Sequence, residues 1–454
     1  MKMYQTTQPI EKYLNIPLEC SCGRTHFAPI KAIRVSSGAI SLLPDYMKQY
    51  GYSHPYLLSD RITYDIAGYR CEAILQQAGF SPFTRILTHM AYDEATLGEI
   101  VLNKPDDCDV MIGIGTGQIT DMLRFASFKL GLPCFTVPTA APMDGFSASV
   151  GIMNVDHLKA TMPAHASEVI LGDTDVLKGA PMRMTLAGFG DLVGKYNALN
   201  DWRLGRIVNG EHYCEKIATM VEDYVTGVTE DADRIRDKDP ETIGGILNAL
   251  LLTGATVSLY GTSRAISGAE HHMSHYWEVL GDERGKPFAM HGEQVAVATV
   301  LALSVVEKLK DRAIDFNRAR AAAQRYDSDT WAAQIRLAYG EAAEAILALE
   351  EKAQKNAPEG RLKRIDAMEE KWPEIRSLLE TVIPAGQLRE LLRSLGCPCD
   401  PRDIGVTPEI LKDTFLYCKE TRTIFTVYQM AWDLDLMDEI SDEIIRFLKQ
   451  ENRI

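Results

Sequence analysis

The sequence lacks several things that would decide its class at once. Its start, MKMYQTTQPIEKYL, has no apolar signal core, and no apolar run is expected to be long enough to span a bilayer, so no membrane association is predicted. It also lacks an excess of positive charge. Lys and Arg number 48 against 63 Asp and Glu, a formal net charge of -15, which argues against nonspecific binding to nucleic acid or to an anionic membrane surface. Small anions remain open, because they need only a local cationic pocket. Nine cysteines, an odd number in a chain of 454 residues, do not make a dense disulfide scaffold; a reduced, cytoplasmic protein is the expectation. Internal repeats and low-complexity tracts are missing as well. What remains is an ordinary globular composition, 46% hydrophobic and 24% charged, at a length that allows roughly two or three domains.

Near the start, Cys20-Ser-Cys22-Gly with His26 behind it resembles half of a zinc knuckle. The other comparable pair, Cys397-Pro-Cys399, lies far along the chain, so the stretch reads as a structural hairpin turn. From His54 short β-rich runs alternate with helical ones. PYLLSD (55–60), FTRILTH (83–89), DVMIGIG (109–115) and PCFTVPT (133–139) read as strands, with helices over 62–79, 96–103 and from Gly117 to about Leu130. That rhythm predicts an α/β domain with a parallel, Rossmann-like sheet over residues 1–184, binding its ligand beyond the carboxyl ends of the strands. After about Thr185 long amphipathic helices dominate, and 185–454 is expected to be an all-α second domain. Its segment 308–380 is charged and Ala-rich, most simply a solvated face without chemistry.

Four stretches carry candidate chemistry. IGIGTGQITDMLRF places Gly115 and Gly117 between a strand and a helix, where free N–H groups can hold a pyrophosphate. The third glycine of the dinucleotide fingerprint is absent, and a tight structural turn is the plain alternative. Asp60, at a strand end, can accept from ribose hydroxyls or simply cap the next helix. VPTAAPMDGFSAS offers Thr139, Asp144, Ser147 and Ser149 directly after a buried strand, as a cofactor-wrapping loop or a plain connection. AGFGDLVGKYNALNDWRLG places Asp191 at an expected helix start. Finally, SGAEHHMSHYWEVLGDERGKPFAMHGEQV gathers His271, His272, His275 and His291; on a helix His271 and His275 share a face. Asp191, His271 and His291 would make three protein ligands with an open position, the pattern of a catalytic metal site. A histidine pair satisfied in a polar core is the alternative.

In order, the strand-end Asp60, GTGQITD, PTAAPMDG, GFGD, SGAEHHMSH and HGEQV resemble the motifs of the iron-containing alcohol dehydrogenase-like superfamily, which includes glycerol dehydrogenase and 3-dehydroquinate synthase. Within it the chain is most similar to the bacterial sn-glycerol-1-phosphate dehydrogenases, from about Tyr13 to the C-terminal YQMAWDLDLMDEI. The resemblance implies NAD(P) bound by Asp60, Gly117, Gln118, Ile119, Thr120, Asp121, Thr139, Ala140, Ala141 and Pro142. It implies a divalent metal, zinc or nickel before iron, on Asp191, His271 and His291. Asp144, Asp191 and His275 would face the substrate, with His275 available for proton relay. Where the family often has Ser, this chain has Ala148 between Ser147 and Ser149. The implied reaction is reversible reduction of dihydroxyacetone phosphate by NAD(P)H in a homodimer, with a polyol dehydrogenase acting on an unphosphorylated substrate as the rival. Lys159, Lys195 and Arg203 are candidates by position for the substrate phosphate.

Overall fold

The structure, a computed structural model, describes residues 10–155 and 158–454, without the side chains of residues 154–161. The side chain of Lys159 therefore lies outside the described residues.

Strands β1 (Leu18–Glu19) and β2 (Thr25–His26) form a small antiparallel hairpin. Six further strands build one parallel sheet: β3 (Ala32–Ser36), β4 (Pro55–Asp60), β5 (Phe83–Leu87), β6 (Val110–Gly115), β7 (Cys134–Pro138) and, after the antiparallel hairpin β8 (Val150–Val155) and β9 (Leu158–Pro163), β10 (Val169–Asp173). Their order is β3-β10-β7-β6-β4-β5. Both faces are covered, so the central strands are apolar throughout rather than alternating with polar residues. Leu57, Val110, Ile112, Ile114, Phe135 and Val137 point to one core, while Tyr56, Leu58, Met111 and Cys134 point to the other with Ile119, Met122 and Leu123.

The four anticipated strands form close to their expected limits. β3 and β10 were not anticipated: the first precedes the start of the alternating pattern, and the second lies in a stretch to which the sequence pattern assigns no element. The helix after Asp60 also differs. It passes through a π-helical turn, Tyr64–Gly68, before Tyr69–Gln77.

The long helices that matter to the site are α1 (Gly117–Leu130), α2 (Met182–Asn209), α3 (Glu215–Glu230), α4 (Pro240–Tyr260), α5 (Ala269–Glu283) and α6 (His291–Lys310). α4 corrects one expectation, for it is long and apolar enough to cross a membrane by length and composition. It is instead a core helix, with 89% of its most apolar window buried. The helices of 308–380 and those that follow complete an all-helical C-terminal region.

The chain forms two compact units. One comprises the residues up to Leu192 together with Thr219–Ser263; the other comprises Val193–Ala218 and Arg264–Ile454. Two of the three divisions fall inside continuous helices, α2 and α3, and the third falls in the short 3-10 turn Ser263–Ala265.

Candidate active site

The strand order reverses between β4 and β6, since the chain steps outward from β4 to β5 and then from β6 to β7 and β10. In a parallel sheet such a switch point opens a crevice at the carboxyl ends of the two strands. The register pairing Leu58 with Gly113 brings the ends of β4 and β6, Asp60 and Gly115, to the same edge. Asp60 caps the turn that follows it: its Oδ1 accepts from the Thr63 N–H (2.7 Å) and Oγ1 (3.0 Å). α1 begins at Gly117, two residues beyond the end of β6, and its N-cap Thr116 provides no side-chain bond to the first turn. Gln118, Ile119 and Thr120 lie in that first turn, with Ile119 and Thr120 buried. Asp121 is directed inward, where its carboxylate takes the buried Arg124 guanidinium.

Thr139, Ala140 and Ala141 follow β7 as a buried loop, and Pro142 is partly exposed. The Thr139 N–H donates to the Gly115 carbonyl (3.1 Å), tying this loop to the end of β6. Ser147 donates to the Leu251 carbonyl (2.5 Å), and the Ala148 carbonyl accepts from Arg124. Of the two hydroxyls flanking Ala148, Ser147 is thus already engaged.

Asp191 is not at a helix start. It sits fully buried inside the 28-residue α2. The glycines that suggested a break are close-packing positions: a Cβ on Gly188 would come within 1.9 Å of the Ala141 carbonyl oxygen. Asp191 Oδ2 accepts the Asp144 N–H (2.9 Å), so the Asp144 loop is held against α2.

The histidines stand on α5 and at the first residue of α6. Ring centroids are 5.2 Å apart for His271 and His291, and 6.0 Å for His275 with each of them. Carboxylates orient all three. His271 Nδ1 bonds Glu270 Oε1 (2.7 Å), while Glu278 takes His275 Nδ1 on Oε2 (3.0 Å) and His291 Nδ1 on Oε1 (3.0 Å). An imidazole whose Nδ1–H is held by a carboxylate presents Nε2 to a metal. α2 carries Asp191 into the same set: Asp191, His271 and His291 each offer a donor atom, all within 4.8 Å of one another. Asp144 is not in that set; its backbone is placed by Asp191.

Two findings were not legible in the sequence. Arg422, just after the short 3-10 turn Cys418–Thr421, donates through Nη2 to His275 Nε2 (2.9 Å). Because guanidinium has no acceptor, His275 must be neutral with its proton on Nδ1, and burial together with Arg422 holds it down at about 4. In this arrangement His275 has no proton on Nε2 to pass on. The second is Asp201 on α2, which accepts from the Ala269 (2.7 Å) and Val427 (2.8 Å) N–H groups and so caps both α5 and the helix Val427–Asp433. Burial pushes His271 well below its ordinary value, and the charge of Lys195 adds to this. Arg203, the other phosphate candidate on α2, bonds the Tyr213 hydroxyl (3.2 Å). His272 is fully buried, and among the described residues neither of its ring nitrogens has a hydrogen-bond partner.

The family model for iron-containing alcohol dehydrogenase matches residues 34–181. A glycerol-1-phosphate dehydrogenase (NAD(P)+) from Halalkalibacterium halodurans is 34% identical over 289 residues, covering 62% of this chain and 72% of that one. Its counterpart from Geobacillus stearothermophilus is 28% identical over 413 residues, covering 89% and 93%. Among solved structures, a probable glycerol dehydrogenase from Sinorhizobium meliloti matches with a TM-score of 0.59 at 16% identity, over 91% of this chain and 98% of that one, a likeness of fold. With one relative matched at 34% identity over most of its length, the chain belongs to the glycerol-1-phosphate dehydrogenase family of the iron-containing alcohol dehydrogenases.

Proposed function

We propose that the protein catalyses the reversible, NAD(P)H-dependent reduction of dihydroxyacetone phosphate to sn-glycerol 1-phosphate. The observation that carries this reading is the donor set of one carboxylate and two carboxylate-backed imidazoles, Asp191, His271 and His291, in a chain of this family. Three such ligands suit a divalent ion with an open position for substrate; zinc or nickel is our first choice, with iron next. When bound, that ion polarises the substrate ketone and the reduced nicotinamide supplies the hydride.

The chain's own residues do the rest. Asp60, Gly117, Gln118, Ile119, Thr120 and the loop Thr139, Ala140, Ala141, Pro142 border the switch point and would hold the dinucleotide, with the N-terminus of α1 facing its pyrophosphate. Asp121 would support that turn from behind through Arg124 rather than touch the cofactor. Asp144 would contact the substrate from a loop tied to Asp191. Lys195 and Arg422, whose charges both act on His271, would receive the phosphate. His275, its Nε2 occupied by Arg422, would orient that guanidinium, and the proton for the new hydroxyl would come through bound water or a cofactor hydroxyl. A cytoplasmic homodimer completes the proposal.

The test is an assay of purified protein with dihydroxyacetone phosphate and with dihydroxyacetone, using each reduced nicotinamide, after chelation and return of single divalent ions. Turnover restored by metal and at least tenfold better on the phosphate in kcat/KM is expected. Equal rates on both ketones would favour the polyol dehydrogenase, and activity indifferent to metal would overturn the mechanism.

A further inference from the structure

The N-terminal hairpin holds a second group of metal-binding residues. β1 and β2 have two residues each and pair Leu18 with His26 and Glu19 with Thr25. The turn between them is Cys20-Ser-Cys22-Gly23, closed by the Gly23 N–H on the Cys20 carbonyl (3.1 Å), with Gly23 at φ +86°, where a side chain would be strained. A hairpin this short is not stable by its backbone bonds alone. Something else must hold it.

His26 is buried, and its Nδ1 bonds the Leu259 carbonyl at the end of α4 (2.8 Å), while Nε2 lies 3.3 Å from Cys22 Sγ. The backbone bond fixes the tautomer with the proton on Nδ1, leaving Nε2 directed at sulfur, the arrangement that outer partners impose on metal-bound histidines. The half-knuckle that seemed to lack a second half finds its fourth member in Cys214, the residue immediately before α3. That helix runs on past Ala218 into the unit containing the hairpin. Donor atoms of Cys20, Cys22, His26 and Cys214 all lie within 4.8 Å of one another. Around a tetrahedral zinc with Zn–S near 2.3 Å, neighbouring ligand atoms stand about 3.5–3.8 Å apart, so small rotations of these side chains close the site.

We propose that Cys20, Cys22, His26 and Cys214 bind one structural zinc ion, separate from the ion at Asp191, His271 and His291. Three thiolates and one imidazole fill all four positions, leaving none for substrate, and the soft sulfur donors select zinc over the harder divalent ions. Binding would release the three thiol protons and pin the hairpin to the ends of α3 and α4.

The experiment uses the full chain. Wild-type protein is expected to carry two metal equivalents by elemental analysis, and the Cys20→Ser/Cys22→Ser double variant one fewer. Fully cobalt-exchanged wild type should show a thiolate-to-cobalt charge-transfer band in the near ultraviolet, which a site of oxygen and nitrogen donors cannot produce. The band should survive His271→Ala and vanish in the double variant. The wild-type spectrum does not depend on how the variants fold: no such band at full cobalt loading, or a band lost with His271→Ala and kept in the double variant, overturns the proposal.

Discussion

Glu278 shows how much of the site is decided by residues that would not touch a metal. Its two oxygens take the Nδ1 atoms of His275 and His291, one each, so a single carboxylate sets two ring orientations. Glu270 does the same for His271 while also receiving the Gly268 N–H (2.8 Å) and the Asn197 amide (2.5 Å). Burial, with Asp201 nearby, raises Glu270 to about 7. Outer partners of this kind typically govern metal affinity by about 10–100-fold. Glu278→Ala is therefore expected to weaken divalent-ion binding within that range, read by competition with a chromophoric chelator. Its far-ultraviolet circular dichroism should stay like that of the wild type. Unchanged affinity would show that the histidines are oriented by packing alone. At this scale the sequence was legible in residue type and opaque in partnership. Four histidines in one stretch announced a site, but Arg422 lies far along the chain in a segment without a motif. Asp191 was identified as a ligand candidate yet misplaced at a helix start, because Gly188, Gly190 and Gly194 look like breaks. Close packing against the Ala141 carbonyl is what allows at least the first of them inside a helix.

At the scale of elements, the charged segment 308–380 proves less idle than its composition suggested. The helices Ser328–Tyr339 and Ala343–Ala353 bring Trp331 and, just beyond, Lys355 and Asn356 onto Glu420, the residue two before Arg422. Glu420 is buried and accepts from Trp331 Nε1 (3.2 Å), Asn356 Nδ2 (3.0 Å), Lys355 Nζ (3.0 Å) and Lys419. Burial alone would raise its pKa, but Lys355 and Lys419 bring it down to about 2. A carboxyl whose folded value is depressed contributes stability that is present above its unfolded value and lost as pH falls toward the folded one. Here that window runs from about 4.5 down to about 2. Glu420→Gln strips the charged partner from the buried Lys419 and the partly buried Lys355 ammonium groups, so a loss of about 3–5 kcal/mol at pH 7 is expected. The difference from wild type should shrink as pH is lowered through that window. Urea unfolding at pH 7 and pH 3 measures both. Equal differences at the two pH values would mean that Glu420 acts through shape and not charge. The four expected strands were legible because apolar runs bounded by turn residues have few other uses. β3 and β10 were not, because β3 stands before the alternating pattern begins and β10 follows the hairpin of β8 and β9 rather than a helix.

For the whole molecule, the division of labour is the informative feature. Every residue proposed for the dinucleotide, from Asp60 to Pro142, belongs to the unit built on the parallel sheet, whereas His271 and His291 belong to the helical unit. Asp191 is the exception, on a helix that passes from one unit into the other. His271 shares no contact with the residues proposed for the dinucleotide, and substitutions that share no partner usually act independently. His271→Ala removes one of three metal ligands and, with it, the polarisation of the ketone, which is worth several kcal/mol in the transition state, or about 10³-fold in rate. The same change touches no proposed cofactor contact. Turnover of dihydroxyacetone phosphate should therefore fall by about that factor, while the dissociation constant of the reduced nicotinamide, followed by its fluorescence, should stay within about twofold. If cofactor affinity collapses together with turnover, the dinucleotide is held in part by the metal or by the helical unit, and the assignment of its site to the sheet edge would have to be redrawn.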